Sequence, residues 1–141
     1  MNWTERALVA LLRASAALLL VAVVPAVMPL EGMAAIHRSL GLGKLPSGPI
    51  VSYLTRSLSG MYAAHGALLL YVSFDVRRYL PVVKCLAVLG LVFGAGMLAL
   101  DCLVGMPPWW IACEGPLIIA LGAAVLWLAA ETGRRTGEPD G

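Results

Sequence analysis

Charge is what this sequence has least of. Only 13% of its 141 residues are Asp, Glu, Lys or Arg, about half of the roughly 25% that keeps a soluble domain wet. Lipid rather than water must then cover much of the outside, so an integral membrane protein with a single compact domain is expected. Net charge is +2, with the basic residues scattered, which argues against a nucleic-acid partner. The apolar runs do not alternate, which disfavours a barrel, and no internal repeat stands out. No A-x-A-like cleavage site follows LLLVAVV, so the first run reads as a retained helix.

Histidine is nearly missing as well, with two in the chain. Haem in a helical bundle most simply takes two axial histidines, and His37 falls in a loop away from His65, which disfavours haem. Met106, Cys102 and Cys113 match no recognised soft-metal spacing, so no metal is expected.

What the chain does have is apolar length, with 60% apolar residues and mean hydropathy +0.87. Four stretches, 7–30, 50–73, 81–104 and 111–130, each supply the roughly 20 residues that a hydrocarbon layer of about 30 Å requires. The expected fold is therefore all-α: an integral membrane four-helix bundle over 1–130, followed by a flexible cytoplasmic tail at 131–141. Arg6, Arg13, Arg77, Arg78, Lys84, Arg134 and Arg135 fall on the N-terminal side, against Arg38, Lys44 and Arg56 on the other. That bias places both termini in the cytoplasm and the protein in the inner membrane, as a multi-pass chain.

The first loop, LEGMAAIHRSLGLGKLPSGP, has Met33, Ile36 and Leu40 at helical spacing and Gly41 at a stop position. These predict a short amphipathic helix in the outer interface. SFDVRRYLP reads as a tight cytoplasmic turn. On the second span, phase groups Ser52, Arg56, Ser59, Gly60, Ala63, Gly66 and Ala67 on one stripe, which should face the bundle because small residues let helices approach in lipid. Leu54, Leu58, Met61, His65, Leu68, Leu69 and Val72 lie opposite. On the third, Gly90, Gly94, Met97 and Asp101 align, the glycines forming GLVFG.

The candidate chemistry is at the outer end, where DCLVGMPPWWIACEGP interrupts the apolar pattern. Asp101 closes the third helix, Glu114 opens the fourth, and Arg56 lies about two turns into the second at similar depth. A charge in a bilayer is costly and is usually paired, so Arg56 is expected to pair with Asp101, Glu114 or both. The cluster reads either as a clamp between helices or as a polar pocket for an anionic or quinone-like headgroup. His65 is read as a neutral histidine packed between helices, within reach of Tyr62, with a proton relay as the sharper alternative. Cys102 and Cys113 read either as a disulfide across the last loop or as two independent small residues. Trp109 and Trp110 anchor the outer interface, and Trp3 and Trp127 bracket the inner one.

The segments GLGKLPSGPIVSYLTRSLSGMYAAHGALLL, SFDVRRYLP and LDCLVGMPPWWIACEGP resemble small four-helix bacterial membrane proteins of unknown function, near the BphX-like and DoxX-like groups. The resemblance covers about residues 30–120. It implies a four-helix bundle without an established activity, and the association of DoxX-like proteins with quinone-linked or thiol-redox complexes implies an accessory role. The reading that follows is a non-enzymatic accessory subunit or small-ligand-binding bundle. Its partners would be the lipid bilayer and either other membrane-complex subunits or further copies of itself. A component of a quinone- or thiol-linked redox system using His65, Tyr62 and the cysteines is the alternative, and no cofactor is expected unless it is a quinone. A small transporter is a further reading, weakened because the charged residues stop at the outer third.

Overall fold

The computed structural model describes residues 1–136, and their regular structure is helical throughout. The helices are α1 (Trp3–Leu20), α2 (Val23–Val27), α3 (Leu30–Ser39), α4 (Pro49–Val72), α5 (Leu80–Val104) and α6 (Pro108–Thr136), with a 3-10 turn at Ser73–Asp75. Three stretches, Trp3–Val27, Leu80–Val104 and Pro108–Arg135, are long and apolar enough to cross a membrane. The α4 helix is of similar length but carries Arg56, His65 and several Ser and Thr, and is not among them. Large apolar side chains stand in the open along the chain, with Val27 at 73%, Met61 at 71% and Leu103 at 84% exposure. Water-soluble monomers rarely expose apolar patches beyond a few hundred Å². The chain is a membrane protein.

Two units divide the chain: Met1–Arg13 with Tyr71 onward, and Ala14–Leu70. The first is built on the α5–α6 hairpin. Gly105 ends α5 in the left-handed region at φ 72°, and its N–H and that of Met106 return to the Asp101 carbonyl. Only a residue without a Cβ takes that conformation readily, which fixes the reversal. Along the seam, small residues of one helix meet branched residues of the other. Gly94 backs onto Ile118 and Ile119, and Gly122 onto Ala87 and Leu91. The tightest approach is at Gly115, where a Cβ would lie 2.6 Å from Leu98 Cβ and 2.9 Å from its Cα. Gly90 has open space beside it, so GLVFG contributes one glycine to the seam rather than two.

The start of α1 belongs to the same unit. Asn2 Oδ1 accepts the Glu5 N–H at 3.0 Å and the Thr4 hydroxyl at 2.8 Å, capping the helix. Thr4, Leu8 and Leu12, four apart, form its buried face, and Trp3 meets Trp127 with ring centroids 6.3 Å apart. At the other end α6 continues to Thr136, held by Glu131 bonds to Arg134 and Arg135. The flexible tail expected at 131–141 therefore begins as helix, because those pairs sit one turn apart and place cations at the negative end of the helix dipole. Residues 137–141 lie outside the described residues.

The helix expected over 7–30 is interrupted, although Trp3–Val27 remains one stretch long enough to cross. Pro25 has no N–H to donate, and its ring crowds the carbonyl four residues back, at Val21. The helix accordingly breaks at Val21–Ala22 and resumes as α2. The short helix expected in the first loop is present as α3, ending at Ser39 with Gly41 at φ 74°. On α4, Gly66 is pressed against α1, its Cβ position 2.9 Å from Leu19 Cβ and 3.0 Å from the Ala16 carbonyl. Ser52, Arg56, Ser59 and Ala63 are half-buried along that stripe, whereas Gly60 and Ala67 are exposed. Leu54, Leu58, Met61, His65 and Leu68 are exposed opposite, but Leu69 and Val72 are buried.

Replacing Gly115 with Leu should destabilise the detergent-solubilised protein by about 1–3 kcal/mol, because the backbone of Leu98 leaves no room. Gly96, with open space beside it, should accept Ala with unchanged or raised stability. Thermal unfolding of both variants checks this, and equal losses would remove the seam.

Candidate functional site

Two prolines create the local geometry around Arg56. Met28 takes an extended conformation at φ −65°, ψ 144°, and Pro29 caps the start of α3. The helical ladder is cut there, and Gly32 N–H, four residues beyond Met28, bonds the Pro29 carbonyl instead. The carbonyls of Ala26 and Met28 then need donors from outside the helix. Arg56 supplies them. Its Nη1 donates to Ala26 O at 3.0 Å and its Nη2 to Met28 O at 3.0 Å, while Nε donates to Ser52 Oγ at 3.3 Å.

Carboxylate pairing was the expected role for this guanidinium, and the structure gives it another. Among the described residues its hydrogen-bond acceptors are two carbonyls and a hydroxyl, and neither Asp101 nor Glu114 is one of them. The physical reason is the helix end itself, which presents two unpaired acceptors and the negative pole of a dipole. Each bond to a charged donor contributes about 1.5–3 kcal/mol.

Asp101 is 3% exposed, and its Oδ2 is buried with no hydrogen-bond partner among the described residues. Leaving a buried polar oxygen unpaired costs about 1–3 kcal/mol, which marks the position. Glu114, half-buried, accepts a hydrogen bond from Trp110 Nε1 one turn before it. Trp110 therefore holds an acid, and its ring meets Trp109 edge-on at 5.3 Å. Cys85, Cys102 and Cys113 are free, exposed thiols.

His65 is exposed on the apolar outer stripe of α4, not packed between helices as expected. Its phase decides this, since it lies one turn from Met61 and two from Leu58, both of which face outward. Tyr62 is half-buried on the same helix.

A second polar cluster was not expected. Arg77 grips Glu5 with two bonds, Nε to Oε1 at 3.1 Å and Nη2 to Oε2 at 2.8 Å. The carboxylate holds the Arg77 guanidinium above its ordinary range, chiefly through that hydrogen bond. Arg13 donates Nε to Ser73 Oγ at 3.3 Å and lies 5.6 Å from the centre of the Phe74 ring. These residues line a cavity of about 330 Å³. Tyr79, beyond it, shares a 2.9 Å hydrogen bond with Tyr71, which pushes its phenol pKa up. Arg13 and Arg77 entered the sequence reading only as topology signals. What could have revealed them is an arginine and a glutamate inside or beside the first apolar run, each needing a partner.

No family model, curated protein or solved structure matches the chain. The candidate residues therefore stand on their own geometry: in one unit helix-end carbonyls meet a guanidinium, and in the other Asp101 keeps an orphan oxygen.

Replacing Arg56 with Gln should lower stability by about 1.5–3 kcal/mol. Combining it with Asp101→Asn or Glu114→Gln should restore none of that loss, because the guanidinium's partners are carbonyls. A double-mutant cycle on thermal unfolding measures the coupling; recovery by either acid substitution would return the cluster to an ion-pair clamp.

Proposed function

We propose that this chain is a non-enzymatic, four-crossing component of the inner membrane, with both termini in the cytoplasm, acting as an accessory subunit or small-ligand-binding bundle. One observation carries the reading: the arginine best placed for outer-side chemistry is already held by the carbonyls of Ala26 and Met28. Glu114 and Glu5 are likewise engaged, by Trp110 and Arg77. Polar side chains used in this way hold helix ends rather than present reacting groups.

In this reading α4 is the fourth crossing in spite of its lower hydropathy. A polar, small-residue stripe suits a helix that packs against others in lipid, since Gly and Ser allow close backbone approach. The spacing of the tryptophans on α6 supports a crossing there, because Trp109 and Trp127 are separated by about 27 Å of helix at roughly 1.5 Å per residue, near the roughly 30 Å of hydrocarbon between aromatic belts. The resemblance to BphX-like and DoxX-like proteins accords with an accessory role.

The three exposed thiols provide the test. With single-cysteine variants in intact cells, an impermeant maleimide should label Cys102 and Cys113 from outside, and Cys85 only after permeabilisation. Asp75→Cys should behave like Cys85, and Ser47→Cys like Cys102. Labelling of positions 47 and 75 from the same side would remove α4 as a crossing. A quinone carried through purification, seen by absorbance and native mass spectrometry and reduced and reoxidised by the purified protein, would overturn the non-enzymatic reading.

A further inference from the structure

Arg13 is a charge within the apolar stretch Trp3–Val27, exposed on the protein surface, and its protein partners engage only one of its three nitrogens. Ser73 Oγ takes Nε at 3.3 Å, and the Phe74 ring lies beneath the guanidinium. Among the described residues Nη1 and Nη2 have no acceptor. An arginine held in or near hydrocarbon needs an anion, a carbonyl or water for those donors. The cavity of about 330 Å³ lies at this point, with Arg13, Arg77, Glu5, Asp75 and Phe74 in its wall.

The charges in that wall have an order. Arg77 and Glu5 neutralise one another through two bonds. Asp75 is exposed, and its Oδ1 accepts the Arg78 N–H at 3.2 Å while Oδ2 has no partner among the described residues. The residual chemistry in that wall is thus a planar double donor on Arg13 and a carboxylate oxygen on Asp75. A guanidinium fork matches phosphate, and a carboxylate matches a primary ammonium. A purely anionic ligand would leave the Asp75 carboxylate unmatched beside its own charge and be disfavoured.

We propose that this cavity binds a phosphate ester carrying a primary ammonium, supplied as the headgroup of a zwitterionic phospholipid, with its phosphate on Arg13 and its ammonium on Asp75. The volume is at the low end for ligand pockets. It holds a headgroup and leaves the acyl chains outside, beside Phe74, which is 70% exposed. The inference rests on the four-crossing reading, which puts the end of α4 and the start of α5 at the membrane interface.

The test is a set of binding curves from thermal unfolding of the full chain in detergent. The added probes are short-chain phosphatidylethanolamine, short-chain phosphatidylglycerol and soluble phosphoethanolamine. Phosphatidylethanolamine should bind best. Arg13→Gln should weaken it about tenfold, or roughly 1.4 kcal/mol, and Arg13→Lys by less. Asp75→Asn, an exposed change that tests the idea even if Arg13→Gln fails to fold, should erase the preference over phosphatidylglycerol. Equal stabilisation by soluble phosphoethanolamine would support the same chemistry with a free ligand. Binding unchanged in both the Arg13 and Asp75 variants, or tighter phosphatidylglycerol binding by the unaltered protein, would overturn the proposal. A failed thiol-labelling pattern alongside Arg13-dependent binding would count against the crossings alone.

Discussion

A backbone carbonyl freed within apolar surroundings must find a donor, and this chain frees two where α2 ends. The constraint is severe because hydrocarbon supplies no water to take over the bond. Pro25 and Pro29 break the first apolar run, and Met28 between the broken helices points its carbonyl out of the ladder. Arg56 answers with both terminal nitrogens. The side chain expected to pair with carboxylates caps a helix from thirty residues away in sequence. Its charge is matched by the two carbonyls it satisfies and by the dipole they terminate.

A different principle organises the α5–α6 hairpin. Lipid offers little hydrophobic drive for one apolar helix to leave it for another, so association depends on close packing. Gly94, Gly115 and Gly122 let opposing branched side chains and backbone approach to contact distance. Polar groups then sit at the ends of this seam. Asp101 is buried at the turn, Glu114 is held by Trp110, and Glu131 binds two arginines near the far end. The middle is left to packing alone.

Much of this architecture was legible in the residues. Apolar runs of helical length located α5 and α6 closely, and Met33, Ile36, Leu40 and Gly41 marked the short α3 helix, because periodicity and stop residues act locally. The inward stripe of α4 was legible in part: Gly66 packs as its phase required, but Gly60 and Ala67 face outward. Arg56 was expected to bond carboxylates, and the acceptors it has within its own unit are Ser52 and the carbonyls of Ala26 and Met28. Charge counting compares side chains with side chains, whereas the decisive acceptors were backbone carbonyls, visible only through what Pro25 and Pro29 do to the ladder. His65 shows the opposite lesson. Its phase among Leu54, Leu58 and Met61 already indicated an outward position, and the expectation that a histidine must be packed overrode it. The Arg13 and Glu5 contacts were hidden because their partners lie some sixty and seventy residues away.

The account depends most on the guanidinium capping those two carbonyls, and vibrational spectroscopy reads carbonyls directly. With isotope-labelled carbonyls at Ala26 and Met28, the isotope-shifted amide bands should move to higher frequency when Arg56 is replaced by Gln, while a labelled carbonyl at Ala120 stays fixed. Bands at Ala26 and Met28 that do not move would mean that other donors satisfy these oxygens, and that Arg56 has some other purpose.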